Sequence, residues 1–460
     1  MNNGTKSLLN EMGFRIIKQA RFIIRSIIVV VLVSFTCTTN VFGQYTVVSY
    51  PASTVKDELQ ISVTYTIWIP EGVKTIRGII VHQHGAGRTA AAEGATAAYD
   101  LHWQALAKKW DCALLGPSYH VLNDAIDLTP GGSELWFDPR RGSEKIFLKA
   151  IGELATKSGH PELKDVPWAL WGHSGGGIWS DVLSTLHPDR VIAMWLRSGT
   201  ATMFRTKPEF PVPQIPPAVY AIPIITNPGI KERRRRPEIG SIATFQEYRS
   251  KGAPIGFAED PLSGHETADS RYLAIPFFDA CLAMRLPDKG SKTQTLKPVD
   301  MSKAWLAKWD STTAVPAALY QGNPNEAIWL PNETVAKAWM EYVKTGSTSD
   351  ITPPPAPFNV KVSDKGAKGR EIVWNAEADF ESGIRNFIIM RDGHVLAKVP
   401  ENPIGKYGRP LFQSMGYHDT PVKPLPEMRY LDASAKNGEK HTYSVVSVNS
   451  VGLLSNPSTK

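Results

Sequence analysis

Between residues 44 and 70 apolar and polar positions alternate, with Ile61, Val63, Tyr65 and Ile67 on one side. A period of two of this kind predicts antiparallel strands with one covered face. From residue 76 the pattern changes. The strand expected at 76–81 is apolar nearly throughout, broken only by Arg77 and Gly78, which suits a strand covered on both faces. Further strands are expected at 112–117, 167–171, 191–196, 219–226 and 252–258. Helical spacing falls between them at 99–109, 143–157 and 177–186, and again at 271–284, 301–308 and 333–343. Alternation of strands and helices predicts the α/β class, a mostly parallel sheet flanked by helices. The Pro-rich stretch at 208–217 interrupts it as a small cap or a surface loop.

Ser349-Asp350-Ile351-Thr352-Pro353-Pro354-Pro355 then reads as a stiff, exposed linker. Beyond it come short strands separated by Gly, Asp and Asn turns, clearest at 371–374, 387–393 and 442–452. About 100 residues of such strands predict a smaller C-terminal β-sandwich. The expected organisation is 1–43 export segment, 44–348 α/β domain, 349–356 linker and 357–460 sandwich.

The chemistry concentrates at Trp171-Gly172-His173-Ser174-Gly175-Gly176-Gly177-Ile178, where a short apolar strand runs into a helical pattern around a serine. A strand that turns sharply into a helix needs small residues on both sides of the turn, and Gly-x-Ser-x-Gly in this context is a nucleophile elbow. A serine hydroxyl becomes a nucleophile when an imidazole takes its proton, and the imidazole needs a carboxylate to hold its tautomer. In a sheet of this class the order is Ser, acid, His. His102, His120 and His160 precede Ser174, and His187 ends the helix after the elbow. His265, after the last expected strand, is the candidate base. Glu232, in the loop after the strand ending near Thr226, is the candidate acid, and Asp260 is the alternative.

A tetrahedral oxyanion needs main-chain N–H donors. The candidates are Gly175, at the start of the helix, and Gly85 and Ala86 in the loop His84-Gly85-Ala86-Gly87. His82 and His84 come too early in the chain to be the base, which leaves positioning or packing. Trp136 and Phe137 are candidate pocket residues, whereas Trp171 reads as core. The run Arg233 to Arg236 reads as a solvated basic loop, ahead of a site for an acidic substrate.

Composition narrows the function classes. Of 460 residues 42% are hydrophobic and 21% charged, as in globular proteins. The first 43 residues hold five Lys or Arg and one Glu, and removing their net +4 from the whole-chain +7 leaves +3. A balance this close gives no reason to expect nucleic-acid binding. The same 43 residues have a basic start, an apolar run from Ser26 to Phe35 and a polar end, the layout of a signal peptide. Export to the periplasm or the medium is expected, with cleavage near Gly43 and no membrane association beyond an uncleaved N-terminal anchor. Of the three cysteines only Cys112 and Cys281 then remain, and two buried free thiols are the favoured reading over one disulfide. No Cys/His cluster has metal-ligand spacing, so no metal is expected.

The stretch from Gly78 to Pro287 resembles the α/β-hydrolase superfamily. Within it, Gly172-His173-Ser174-Gly175-Gly176, Pro188-Asp189-Arg190-Val191 and the His84-Gly85 loop are similar to secreted poly(3-hydroxybutyrate) depolymerase-like and feruloyl or acetyl xylan esterases. The tail resembles a fibronectin type III domain at Pro357, Trp374, Tyr443-x-Val445 and Asn449-Ser450-x-Gly452. These resemblances imply a secreted serine esterase that works through an acyl-enzyme, without a cofactor, on a polymer-derived or carbohydrate-linked ester, with the tail as spacer or docking module. A glutamate acid departs from the commoner aspartate. The competing class is a noncatalytic exported binding or adhesion protein that keeps a hydrolase fold.

Overall fold

The near-continuous apolar runs assemble into one sheet. In the computed structural model the described residues are 43–459, apart from 56–57, 122–132, 207–210, 235–236, 292–294 and 425–427. The expected export segment lies outside them except for Gly43, as do the side chains of the Arg233 to Arg236 run. Eight strands, β1 (Gln44–Tyr50), β2 (Val63–Ile69), β3 (Ile79–Gln83), β4 (Ala113–Tyr119), β5 (Trp168–His173), β6 (Val191–Arg197), β7 (Ile224–Asn227) and β8 (Ile255–Phe257), lie in the order β1-β2-β4-β3-β5-β6-β7-β8. The first two pairings are antiparallel and all those from β4 to β8 are parallel. Every residue of β3 to β8 is buried, as expected of parallel strands covered on both faces.

Among the described residues seven helices accompany the sheet: α1 (Arg88–Gly94), α2 (Leu101–Lys109), α3 (Ser143–Ser158), α4 (Gly175–Leu186), α5 (Pro237–Ser250), α6 (Arg271–Arg285) and α7 (Glu333–Thr345). Their ends follow local chemistry. The Asp100 carboxylate accepts from the His102 and Trp103 amides at the start of α2, satisfying donors that an open first turn leaves bare. Asn332 does the same for α7, which Gly346 closes in the left-handed region at φ 73°. This is the α/β-hydrolase arrangement, with the mostly parallel sheet flanked by helices.

Two expected elements differ. Residues 301–308 are not a helix: the Asp300 side chain caps a single 3-10 turn, Met301–Lys303. The chain then extends as β9 (Trp305–Ala307), between β10 (Ala314–Pro316) and β11 (Ile328–Leu330). The strand expected at 219–226 opens as the 3-10 turn Pro217–Ala221, and pairing begins only at Ile224, because Pro223 has no N–H to give a ladder. Cys112 and Cys281 are both buried and free, and burial raises both thiols, Cys112 to about 12.

The tail forms two antiparallel sheets. β12 (Phe358–Asp364), β13 (Arg370–Asn375) and β16 (Arg429–Asp432) make one, and β14 (Ile384–Arg391), β15 (His394–Val399), β17 (Tyr443–Asn449) and β18 (Ser458–Thr459) the other. Ile372, Trp374, Phe387, Ile389 and Val445 fill its own core. Leu101 and Ala105 of α2 pack against that core, and Gly43–Lys460 form one compact unit. Among the described residues no helix is long and apolar enough to cross a membrane.

Candidate active site

Ser174 sits between the end of β5 and the start of α4 with φ 53° and ψ −116°, a conformation that a non-glycine residue adopts only when its surroundings impose it. Its N–H donates to the Arg197 carbonyl at 2.7 Å. The glycines around it explain how so tight a turn is tolerated. A Cβ on Gly172 would meet the Gly176 carbonyl oxygen at 2.3 Å, one on Gly176 the Gln83 and His84 oxygens at 2.4 Å, and one on Gly199 the Ser174 oxygen at 1.9 Å. Gly199, outside the motif, is thus as much a part of the elbow as the glycines within it.

His265 Nε2 lies 2.8 Å from Ser174 Oγ, and His265 Nδ1 forms a short hydrogen bond with Glu232 Oε1. A carboxylate accepts only, so Nδ1 carries the ring proton and Nε2 faces the serine hydroxyl with its lone pair. Glu232 is 2% exposed. Its second oxygen, Oε2, accepts from Ser198 Oγ at 2.8 Å and from the Gly229 amide at 3.2 Å. The three residues chosen from chain order therefore stand in one hydrogen-bonded line.

Asp260 stands elsewhere. Its Oδ1 accepts from the Leu262 and Ser263 amides at 2.8 and 3.0 Å, and its Oδ2 from the Tyr342 hydroxyl at 2.8 Å. It shapes the turn that leads to His265. Arg197, fully buried at the end of β6, holds the same loop from below. It donates to Ser263 Oγ at 2.9 Å, to the Gly264 carbonyl at 2.8 Å and, in a shorter bond, to the Glu266 carbonyl. Chain order alone does not reveal this anchor.

Of the expected oxyanion donors, Gly175 opens α4, so its N–H belongs to the unpaired first turn. The Ala86 amide nitrogen lies 3.1 Å from where a Gly175 Cβ would stand, and Phe137 Cδ1 lies 3.4 Å from the same point. Gly85 is also at the site, but its N–H points at the His418 ring, 3.2 Å from Nδ1. Of the two expected pocket aromatics only Phe137 touches the elbow. Trp136 is 1% exposed and stacks on Tyr119 at 4.3 Å, one layer behind, against His84.

His84 fixes the loop from inside. Its Nδ1–H donates to the Gly85 carbonyl at 2.6 Å, and its Nε2 accepts from the Tyr119 amide at 3.0 Å. Burial lowers it to about 4, so it stays neutral. His82 stacks on Trp171 at 3.9 Å, and both are fully buried, so Trp171 packs the core.

His418, from the tail, is the site residue that chain order did not anticipate. Its Nδ1 lies 2.6 Å from His173 Nδ1, and His173 Nε2 donates to the His265 carbonyl at 2.6 Å. His173 spends its ring proton on that carbonyl, so the proton in the contact between the two rings belongs to His418 Nδ1. With its proton directed at His173, His418 Nδ1 has no lone pair for the Gly85 N–H, which meets the ring as a packing contact at 3.2 Å. Burial first, then the neighbouring imidazoles, hold both rings well below the usual histidine range.

No family model matches the sequence, and no curated protein matches it. Among solved structures the chain is similar to a dienelactone hydrolase from Anabaena variabilis, 19% identical over 49% of this chain and 89% of that one, with a TM-score of 0.31. It is also similar to a ferulic acid esterase (15%, 48% and 92%, TM-score 0.31). An S-formylglutathione hydrolase from Agrobacterium tumefaciens gives 16%, 54% and 96%, with a TM-score of 0.34. A fibronectin-III array of RIM-binding protein gives 19% over 22% of this chain and 32% of that one, with a TM-score of 0.16. Scores this low carry no weight beside the strand order and the geometry of the described residues.

Proposed function

We propose that the protein is a serine hydrolase of carboxylic esters. The observation that carries the reading is the hydrogen-bonded line Ser174 Oγ, His265 ring, Glu232 carboxylate. Ser174 Oγ attacks the ester carbonyl carbon as its proton passes to His265 Nε2, and Glu232 stabilises the resulting imidazolium through Nδ1–H. The Gly175 and Ala86 N–H groups receive the oxyanion. Collapse breaks the bond to the alcohol oxygen, which leaves with the proton from Nε2. Water then attacks the acyl-Ser174 carbonyl, gives a proton to Nε2, and the acid departs as Ser174 recovers its own.

An assembled triad with a strained nucleophile favours this over a noncatalytic binding protein, because binding alone gives no reason to hold Ser174 in that conformation. Hydrolysis of p-nitrophenyl acetate by wild type and Ser174→Ala tests it. A loss of at least about a thousandfold is expected, and equal rates would end the reading. The sequence resemblances extend the proposal to an exported enzyme with a fibronectin type III-like tail, acting on polyester or ester-decorated polysaccharide. Export predicts a mature N-terminus near residue 44 in the secreted protein. Polyester films, acetylated xylan and feruloylated oligosaccharides are the substrates to screen.

A further inference from the structure

Residues 400–424, the described chain that follows β15, leave the sandwich and return to the hydrolase sheet. The strap ends in a tight turn: the Gly416 N–H donates to the Thr420 carbonyl at 2.7 Å, and Asp419 takes φ 61°. Tyr417 and His418 occupy its tip. That tip is docked on several elements. Glu93 of α1 accepts from the Tyr417 and His418 amides at 3.1 and 2.6 Å. Thr267, two residues past His265, donates its amide and hydroxyl to the Tyr417 carbonyl at 3.3 and 3.1 Å. Asp419 is buried against Arg271 of α6 at 2.7 Å and accepts from Trp103 Nε1 at 3.1 Å.

The docking aims one ring at the elbow. A Cβ on Gly85 would meet His418 Cε1 at 2.7 Å on one side and Ser174 Cβ at 3.2 Å on the other. Only a glycine leaves room for the flat imidazole to lie over the loop. The same ring bonds to His173, which in turn holds the His265 main chain. Two parts of the proposed machinery, the Gly85-Ala86 loop and the base, thus rest on a side chain that the C-terminal domain supplies.

We infer that His418 is a positioning residue of the proposed hydrolytic site: it holds the oxyanion loop against Ser174 and, through His173, the backbone of His265. The C-terminal sandwich is then a component of the active site in cis, beyond the spacer or docking role expected of such a tail. The inference rests on the hydrolase reading and is narrower than it. His418 touches none of the reacting atoms; it acts on where they stand.

The test uses the full chain with His418→Phe, which fills the space without the hydrogen bond, and His418→Asn, whose amide replaces Nδ1. Hydrolysis of p-nitrophenyl acetate is measured beside wild type and Ser174→Ala. His418→Phe is expected to lower kcat by about a hundredfold, the scale of a misplacement near 1 Å, with KM within about threefold of wild type. His418→Asn is expected to recover at least about a tenth of wild-type kcat through its restored hydrogen bond. Unchanged kcat in His418→Phe, equal losses in the two variants, or a loss confined to KM overturns the inference while leaving the hydrolase reading intact. Wild type no faster than Ser174→Ala overturns both. Should His418→Phe not fold, Glu93→Gln replaces it: a several-fold fall in kcat supports the inference, and unchanged kcat overturns it.

Discussion

Arg271→Met removes one cation on which the junction of α2, α6 and the Asp419 turn depends. Arg271 is 1% exposed. Its guanidinium donates to Asp100 Oδ2 at 2.6 Å, Asp100 Oδ1 at 3.2 Å, Asp419 Oδ1 at 2.7 Å and the Asp419 carbonyl at 3.0 Å. Both carboxylates are as deeply buried as the arginine. Burial pushes the Asp419 carboxyl up, but Arg271 and His82 together outweigh it and hold the group below the usual carboxylate range. Methionine keeps the apolar stem and leaves two buried carboxylates with no cation between them. Losing one partner of a buried ion pair costs about 3–5 kcal/mol, a large share of the roughly 5–15 kcal/mol by which a native domain is stable. With a urea slope of about 3 kcal/mol per molar, the midpoint falls by about 1–1.7 M.

Two controls identify the cause. Asp100→Asn/Arg271→Met/Asp419→Asn removes all three charges and recovers most of the loss, because an apolar or neutral replacement of a whole buried ion cluster is often close to neutral. The deficit of the single variant also depends on pH. Without the cation, burial raises the Asp419 carboxyl above its unfolded value, so stability is retained at low pH and lost as pH rises. The deficit is therefore smaller at pH 5 than at pH 8. A single variant within about 0.3 M of the wild-type midpoint, or a triple variant no better than the single, would refute the reasoning.

The site makes three further predictions. Glu232→Gln lowers kcat by about a thousandfold or more through the lost tautomer control, whereas Asp260→Asn, which touches Tyr342 and two turn amides, loses less; kinetics of the pair decide, and the reverse order makes Asp260 the acid. Gly199→Ala drives a Cβ into the Ser174 carbonyl oxygen and lowers kcat by about a hundredfold, with wild-type kcat as the refuting result. Acid destabilises the fold. His84 and His102 are lowered to about 4 by burial, with His173 and His418 well below their usual range. Their stability contribution is complete above pH 6.5 and is lost as pH falls, when the unfolded chain takes up four protons that the folded chain refuses. Asp181 and Asp269, raised to about 6 by burial, oppose this by binding two protons when folded. Glu93, Asp379 and Glu381 are raised as well and take a further share, which leaves the histidines a smaller net uptake between pH 6 and 5, readable as a falling urea midpoint; a flat midpoint contradicts it.

The parallel strands and the elbow are legible from the chain because both are dictated locally. An apolar run bounded by turns has few alternatives to a covered strand, and a serine between glycines after such a run has few alternatives to a sharp turn. Chain order extends this to His265 and Glu232, since the fold constrains where a base and an acid follow the nucleophile. Residues 301–308 fail as a helix because Trp305, Leu306 and Ala307 find their partners in β10 and β11, a tertiary choice that no local period reveals. His418 is missed for a different reason: it lies 245 residues from the histidine it bonds, on the far side of a linker that suggests independence. The readable signal is the stretch 400–428, which carries no strand period and is long for a sandwich connection. Connections of that length are often functional.

Covalent trapping of the nucleophile tests the central claim most directly. A fluorophosphonate reacts by forming a bond from phosphorus to the serine oxygen as fluoride leaves, and needs the same base as ester hydrolysis. Intact mass and peptide mapping of the full chain are predicted to show one adduct, on Ser174, none in Ser174→Ala, and labelling at least about a hundredfold slower in His265→Ala. No adduct on wild type, an adduct on another serine, or equal labelling rates in wild type and His265→Ala would contradict the account.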